Sequence, residues 1–147
     1  MVSVITGVWI EQLQKSIGKP VPVIRAMPNT AIAIQQSMTC LAHSGATATQ
    51  LNYIQQLFDQ LGKTTMIDEK LMDAATVLGA CGTAYAMRYI RANIQGGIEI
   101  GFDAATASLI AAQTVKGAAA LLLEKGSHPE HEIDKVTTPP RVVPSLD

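Results

Sequence analysis

KLMDAATVLGACGTAYAMRYIRANIQGGIEIGFDAATASLIAAQTVKGAAALLLEKG, residues Lys70–Gly126, decides the fold of this chain. The stretch is rich in alanine and leucine, has no proline, and keeps helical spacing over most of its length. After Gly82 the residues Met87, Ile90, Ile94 and Ile98 recur at intervals of three and four. Arg88, Arg91, Gln95 and Glu99 follow the same spacing on the opposite face, which predicts an amphipathic helix. A second helix is expected from Asp103, a good N-cap, to Gly126, a C-terminal capping glycine. Within it Leu109, Ala112, Val115, Ala119 and Leu122 form an apolar stripe, and Ile110, Gly117 and Leu121 extend it around the circumference. Such a helix has to be buried on most sides. Two or three of them cannot cover one another, so a partner chain is expected over them.

Composition sets outer limits. The chain has 147 residues, 48% hydrophobic and 16% charged, which suits one core-rich domain or two small ones. A net charge of −1, without a Lys/Arg cluster, offers no surface for nucleic acid. The charge-free runs Ala74–Met87 and Ala104–Val115 are too short to span a bilayer, so no membrane partner is expected. No basic segment followed by an apolar core opens the chain, so no signal peptide is expected. Cys40 and Cys81 read as reduced thiols, which favours a cytoplasmic location.

Ahead of the helical stretch, short strands alternate with helices. Val2–Thr6 reads as a strand buried on both faces, closed by Gly7. Trp9, Ile10, Leu13 and Ile17 give a short helix stopped by Gly18. Val23–Arg25 is a second strand, Ala26–Ala31 a loop, and Ser37–Ala42 a third strand. Leu51, Ile54, Leu57 and Leu61 mark a helix ending at Gly62, and Thr64–Ile67 a fourth strand. The pattern implies an open α/β sheet followed by an all-α part. A doubly buried strand at Val2 calls for neighbours that these residues do not supply.

VIRAMPNTA, the helix end QQLFDQLGK, GTAYAMRYIRANIQGGIEIGF and AAQTVKGAAALLLEKGSHPEHEIDKVTTP, in that order, resemble pyrroline-5-carboxylate reductase from about Val2 to Pro139. The resemblance implies reduction of 1-pyrroline-5-carboxylate to L-proline, the last step of proline synthesis, with NADPH or NADH as cofactor. It implies a partial Rossmann-type sheet and a helical dimerisation domain like the C-terminal type of 6-phosphogluconate dehydrogenase. Residues 1–68 would be the C-terminal remnant of the dinucleotide-binding domain, 69–139 the truncated helical domain, and 140–147 an aberrant tail. The partner would be a second copy, in a homodimer or larger assembly through helices of 82–125. Met27, Pro28 and Asn29 would lie beside the nicotinamide, at the C-terminal end of a strand where open α/β sheets bind ligands. Thr137 and Thr138 would lie near the substrate carboxylate.

Two departures qualify the resemblance. The 147 residues contain no G-x-G-x-x-G turn between a strand and a helix, the usual cradle of the pyrophosphate. The first half of the cofactor domain is therefore expected to be missing. The family's substrate loop, D-x-V-[ST]-[ST]-P-G-G-x-T, is matched by Asp134, Val136, Thr137, Thr138 and Pro139, but Pro140, Arg141 and Val143 replace its glycines and its threonine. Proline removes an N–H, and larger side chains crowd a backbone meant to contact a ligand. With permitted codons, Pro139–Asp147 read in another frame yields PKGCTIAG, so a frameshift after Pro139 is the expectation. A non-catalytic remnant that serves only as a dimerisation module is thus the alternative function, and this chain alone is expected to be inactive.

Other patterns carry less. In the family form S-G-S-G-P-A-Y, Gly82, Ala84 and Tyr85 are retained while Gly79, Ala80, Cys81 and Thr83 differ, so that junction reads as packing. His128 and His131 lack further ligands, so no metal site is expected. Arg88 and Arg91 suit an exposed helix face. Gly96-Gly97, costly in a helix by roughly 1 kcal/mol each, implies a kink or a close helix–helix approach.

Overall fold

A computed structural model describes residues 1–137. Thr138 and the tail 140–147 with its expected frameshift lie outside them. The chain divides into two compact units, Met1–Arg88 and one beginning at Tyr89.

The first unit holds a four-stranded sheet in the order β1 (Val2–Ser3), β2 (Val23–Met27), β3 (Ser37–Ser44), β4 (Gly62–Met66). Helix α1 (Ile10–Ile17) makes the crossover from β1 to its parallel neighbour β2, and α2 (Ala48–Asp59) the crossover from β3 to its parallel neighbour β4. Parallel neighbours require such crossovers. The central pair β2–β3 is antiparallel and joined through a 3-10 turn at Thr30–Ile34, so the open α/β sheet is mixed.

All five residues of β2 are buried, as a central strand covered on both faces demands. On one face Ile24, Ala26 and Leu41 meet Ile54 and Phe58 of α2; on the other Met27 and Ala42 meet Met72. Helix α2 begins with a reciprocal cap: the Gln50 N–H donates to Thr47 Oγ1 and the Thr47 N–H to Gln50 Oε1.

Two expectations need correction here. Only Val2–Ser3 of the predicted strand Val2–Thr6 pairs with β2. The Ile5 N–H donates to Ser3 Oγ at 3.3 Å, a local side-chain turn that competes with strand pairing. Val2, Val4 and Ile5 are exposed and no further strand flanks β1 among the described residues, in line with a strand whose covering neighbours these residues do not supply. Gly62 does not end a helix either. Helix α2 stops at Asp59, and Gly62 opens β4 with φ 144°.

The long helical stretch is broken at its start. A 3-10 turn at Glu69–Leu71, the single turn α3 (Met72–Ala75) and a π turn at Thr76–Ala80 precede α4 (Gly82–Glu99). The Cys81 N–H donates to the Thr76 carbonyl, the five-residue closure that defines the π turn.

The second unit contains the end of α4, then α5 (Ala104–Lys125) and α6 (Pro129–Thr137). Asp103 caps α5, its Oδ1 accepting from the N–H groups of Ala105 and Thr106, and Gly126 closes it in the left-handed conformation. Gly97 explains part of the glycine pair: a Cβ there would come within 3.1 Å of the Ala107 Cβ, a close helix approach. Of α5 only Ala107 and Ala111 are buried, and Leu109, Ile110 and Leu123 lie open. Counting its whole length rather than its charge-free run, α5 is long and apolar enough to cross a membrane, with mean hydropathy 1.4. Lys116 interrupts it midway.

The Asp103 cap carries a pH dependence. Its hydrogen bonds to Thr106 and then the Ala105 amide hold the carboxyl below its ordinary value. A depressed folded value means that the cap's contribution is complete above about pH 4 and is lost as pH falls through the folded value. Asp103→Asn, which caps without titrating, is expected to flatten the acid limb of thermal stability followed by circular dichroism at the helix band, and Asp103→Ala to lower helix content at every pH.

Candidate functional site

The parallel pair β1–β2 brings two loops to one edge of the sheet. From β1 the chain continues through Val4–Thr6 to Gly7, and from β2 it passes Met27 to Pro28 and Asn29. Because both strands point the same way, their C-terminal ends share the edge where open α/β sheets take ligands. The Thr6 hydroxyl approaches Met27 Sδ at 3.9 Å. Gly7 has φ 77°, a conformation that favours glycine, and a Cβ there would meet nothing within 4 Å. The turn thus leaves open space above the strand end.

The expected cofactor-side residues are held tightly. Met27 is buried in the sheet opposite Cys40, and Pro28 and Asn29 are half-buried. The Asn29 N–H donates to Ser37 Oγ at 3.1 Å, its Oδ1 accepts from the Ala31 N–H at 3.1 Å, and its Nδ2 donates to the Gly79 carbonyl at 3.3 Å. Asn29 therefore spends its amide on the local turn and on the π turn, and joins both to the end of β2. Behind them an apolar hollow of about 430 Å³ is lined by residues that include Met38, Cys40, Ile67, Leu71, Leu78 and Gly79. Burial pushes the Cys40 thiol up, so it is a poor nucleophile at neutral pH. Among the described residues no carboxylate or imidazole lines the hollow, so its largely apolar wall is suited to positioning a ligand.

Thr137 lies in the second unit, in the last turn of α6, exposed, with its hydroxyl donating to the Ile133 carbonyl at 3.0 Å. His128 Nδ1 accepts from the Glu130 N–H, a local cap, and among the described residues no group of three His, Cys, Asp or Glu side chains converges. Arg88, Arg91, Gln95 and Glu99 all face solvent along α4.

Sequence reasoning passed over three contributors. Thr6 and Gly7 were legible as a strand end closed by glycine before a helix, but the predicted strand absorbed Thr6. The Gly79 carbonyl carried no signal, because a π turn has no residue signature of its own.

Comparison with known proteins bears on the whole chain. Residues 69–140 match the family described as pyrroline-5-carboxylate reductase dimerisation. Pyrroline-5-carboxylate reductase 1 of Dictyostelium discoideum is 49% identical over 95% of this chain, and pyrroline-5-carboxylate reductase 2 of the same organism 43% identical over 95%. The chain spans 27% of the first and 52% of the second, so it covers about half or less of these relatives. A solved pyrroline-5-carboxylate reductase from Coxiella burnetii superposes with a TM-score of 0.89 at 27% identity, over 94% of this chain and 52% of that one.

Proposed function

We propose, on the premise that this chain belongs to the pyrroline-5-carboxylate reductase family, that its activity is the reduction of 1-pyrroline-5-carboxylate to L-proline with NADPH or NADH. The supporting observation is the shared edge of β1 and β2, where Gly7 leaves space beside the clasped Met27-Pro28-Asn29 loop. Thr6, Gly7, Met27, Pro28 and Asn29 fit the nicotinamide end of the cofactor, whereas no G-x-G-x-x-G turn for the pyrophosphate occurs in the 147 residues. When bound, NAD(P)H supplies hydride to the imine carbon. The chain's own residues hold the reactants: Asn29 fixes the loop, and the hollow beneath it offers apolar wall. The ring nitrogen takes its proton from water, in keeping with a site edge that lacks an acid, so proximity is the main contribution.

In the same reading residues 1–68 belong to the cofactor domain, 69–139 to the helical domain and 140–147 to a tail of different character. Thr137 and Thr138 serve the substrate carboxylate in the complete loop. The open faces of α4 and α5 are covered by a second copy, in a homodimer or larger assembly. Leu109 and Leu123 are 70% and 81% exposed, apolar area that water disfavours. The location proposed is cytoplasmic, which suits two free thiols.

The match of residues 69–140 to the dimerisation family favours a second reading for this polypeptide by itself, a dimerisation module without turnover. Fluorescence titration with NADPH separates the two. No saturable micromolar binding and no NADPH oxidation with pyrroline-5-carboxylate support the module; saturable binding with turnover supports the reductase. Pairing is tested apart from catalysis. Light scattering after size exclusion is expected to give a dimer or larger species, and Leu123→Glu to shift it towards monomer; a native chain already monomeric overturns the pairing claim.

A further inference from the structure

Arg25 is a charged residue at the centre of β2 with only 3% of its surface exposed. Its Nη1 donates to Glu69 Oε1 at 3.0 Å, and its Nη2 is buried with no hydrogen-bond partner among the described residues. The same Glu69 oxygen accepts the Ile10 N–H at 2.6 Å. One carboxylate therefore joins β2, the start of α1 and the 3-10 turn that opens the helical stretch.

Four residues further along the chain Asn29 donates to Gly79. Segment 69–79 is thus tied at both ends to the strand and loop 25–29, and Met72, 1% exposed, plugs the space between against Met27 and Ala42. The lengths agree. Four extended residues span about 13 Å, and ten residues of mostly helical chain about 15 Å. The two ties can close together without strain.

We propose that Arg25 is a positioning residue that acts through Glu69 to set where the π turn meets Asn29. A helix interruption leaves carbonyls without their usual partners. Asn29 supplies a donor to one of them only if the segment keeps its place along β2, and the Arg25–Glu69 pair provides that registration. The claim concerns the first unit alone and holds whether or not the loop faces a cofactor.

Amide hydrogen exchange on the full chain in its native assembly tests it. Glu69→Gln removes the charge but keeps an oxygen that accepts from both the Ile10 N–H and Arg25 Nη1, so it costs less than the truncation Glu69→Ala and leaves the unit folded. It is expected to speed exchange across Thr76–Gly82 about tenfold while α2 and β4 stay within about twofold of the parent. Asn29→Ala is expected to speed the same amides. The double variant is expected to match the faster single one, because both changes open one coupled contact. Arg25→Lys, which keeps the charge, is expected to restore most of the protection that Arg25→Met loses. Additive effects in the double variant overturn the proposal, as does an unchanged Thr76–Gly82 segment in Glu69→Gln. A uniform rise at all amides also overturns it, since that reports lost global stability alone.

Discussion

Gly62→Ala is expected to abolish the folded α/β unit, at a cost above about 4 kcal/mol. A Cβ at Gly62 would lie 2.0 Å from the Ser37 carbonyl oxygen, 2.4 Å from its nitrogen and 2.8 Å from its carbonyl carbon. These are backbone atoms of the paired strand, with no flexible side chain to move aside. Ser37 and Gly62 are register partners, and the Ser37 N–H also donates to the Leu61 carbonyl. Relief therefore requires β3 and β4 to separate at their first pair. With φ at 144° the alanine backbone is strained even before the collision. Circular dichroism and urea unfolding of the purified variant check the point. A cooperative transition near that of the parent would show that the strands can shift, and the account of this pairing would be wrong.

The second large effect is an asymmetry. Glu69→Ala is expected to cost about 3–5 kcal/mol, because it leaves the Arg25 charge buried without a carboxylate. Arg25→Met is expected to cost less, on the order of 1–2 kcal/mol, since methionine fills the space with apolar atoms and Glu69 can turn to water. The exposures support this order: the Arg25 side chain is 3% exposed and that of Glu69 23%. Unfolding in urea at neutral pH measures both. Equal losses would mean that the pair acts by packing and not by charge.

The legible part of the fold was that in which local chemistry and packing agree. Asp103 and Gly126 bracket α5 because a carboxylate and a left-handed glycine satisfy backbone groups wherever a helix ends. Strands β2 and β3 were visible as apolar runs because both faces are covered. Periodicity failed between Lys70 and Gly82, where apolar residues keep helical spacing while the backbone passes through 3-10, α and π turns in succession. That path is selected by distant partners, Arg25 for Glu69 and Asn29 for Gly79, which no local window contains. Val2–Thr6 was read too long for the opposite reason, since one serine hydroxyl outweighed the β preference of its neighbours. At the site, Met27-Pro28-Asn29 came from resemblance, and the roles of its atoms from geometry. The Asn29 side chain binds protein groups through both its oxygen and its nitrogen, a fact about three-dimensional neighbours that residue identity does not encode.

The brevity of β1 has a bearing on solubility. An open sheet edge offers unpaired N–H and C=O groups to any passing strand, and apolar residues beside it add adhesion. Here the flanking residues Val4 and Ile5 are 58% and 56% exposed, an adhesive composition. Yet the Ser3 turn ends the strand after two residues, too few to register a foreign strand in a ladder. For these 147 residues taken alone, the hydroxyl that shortens β1 thus also limits edge-to-edge aggregation; where further strands flank β1, the same backbone groups are theirs to pair.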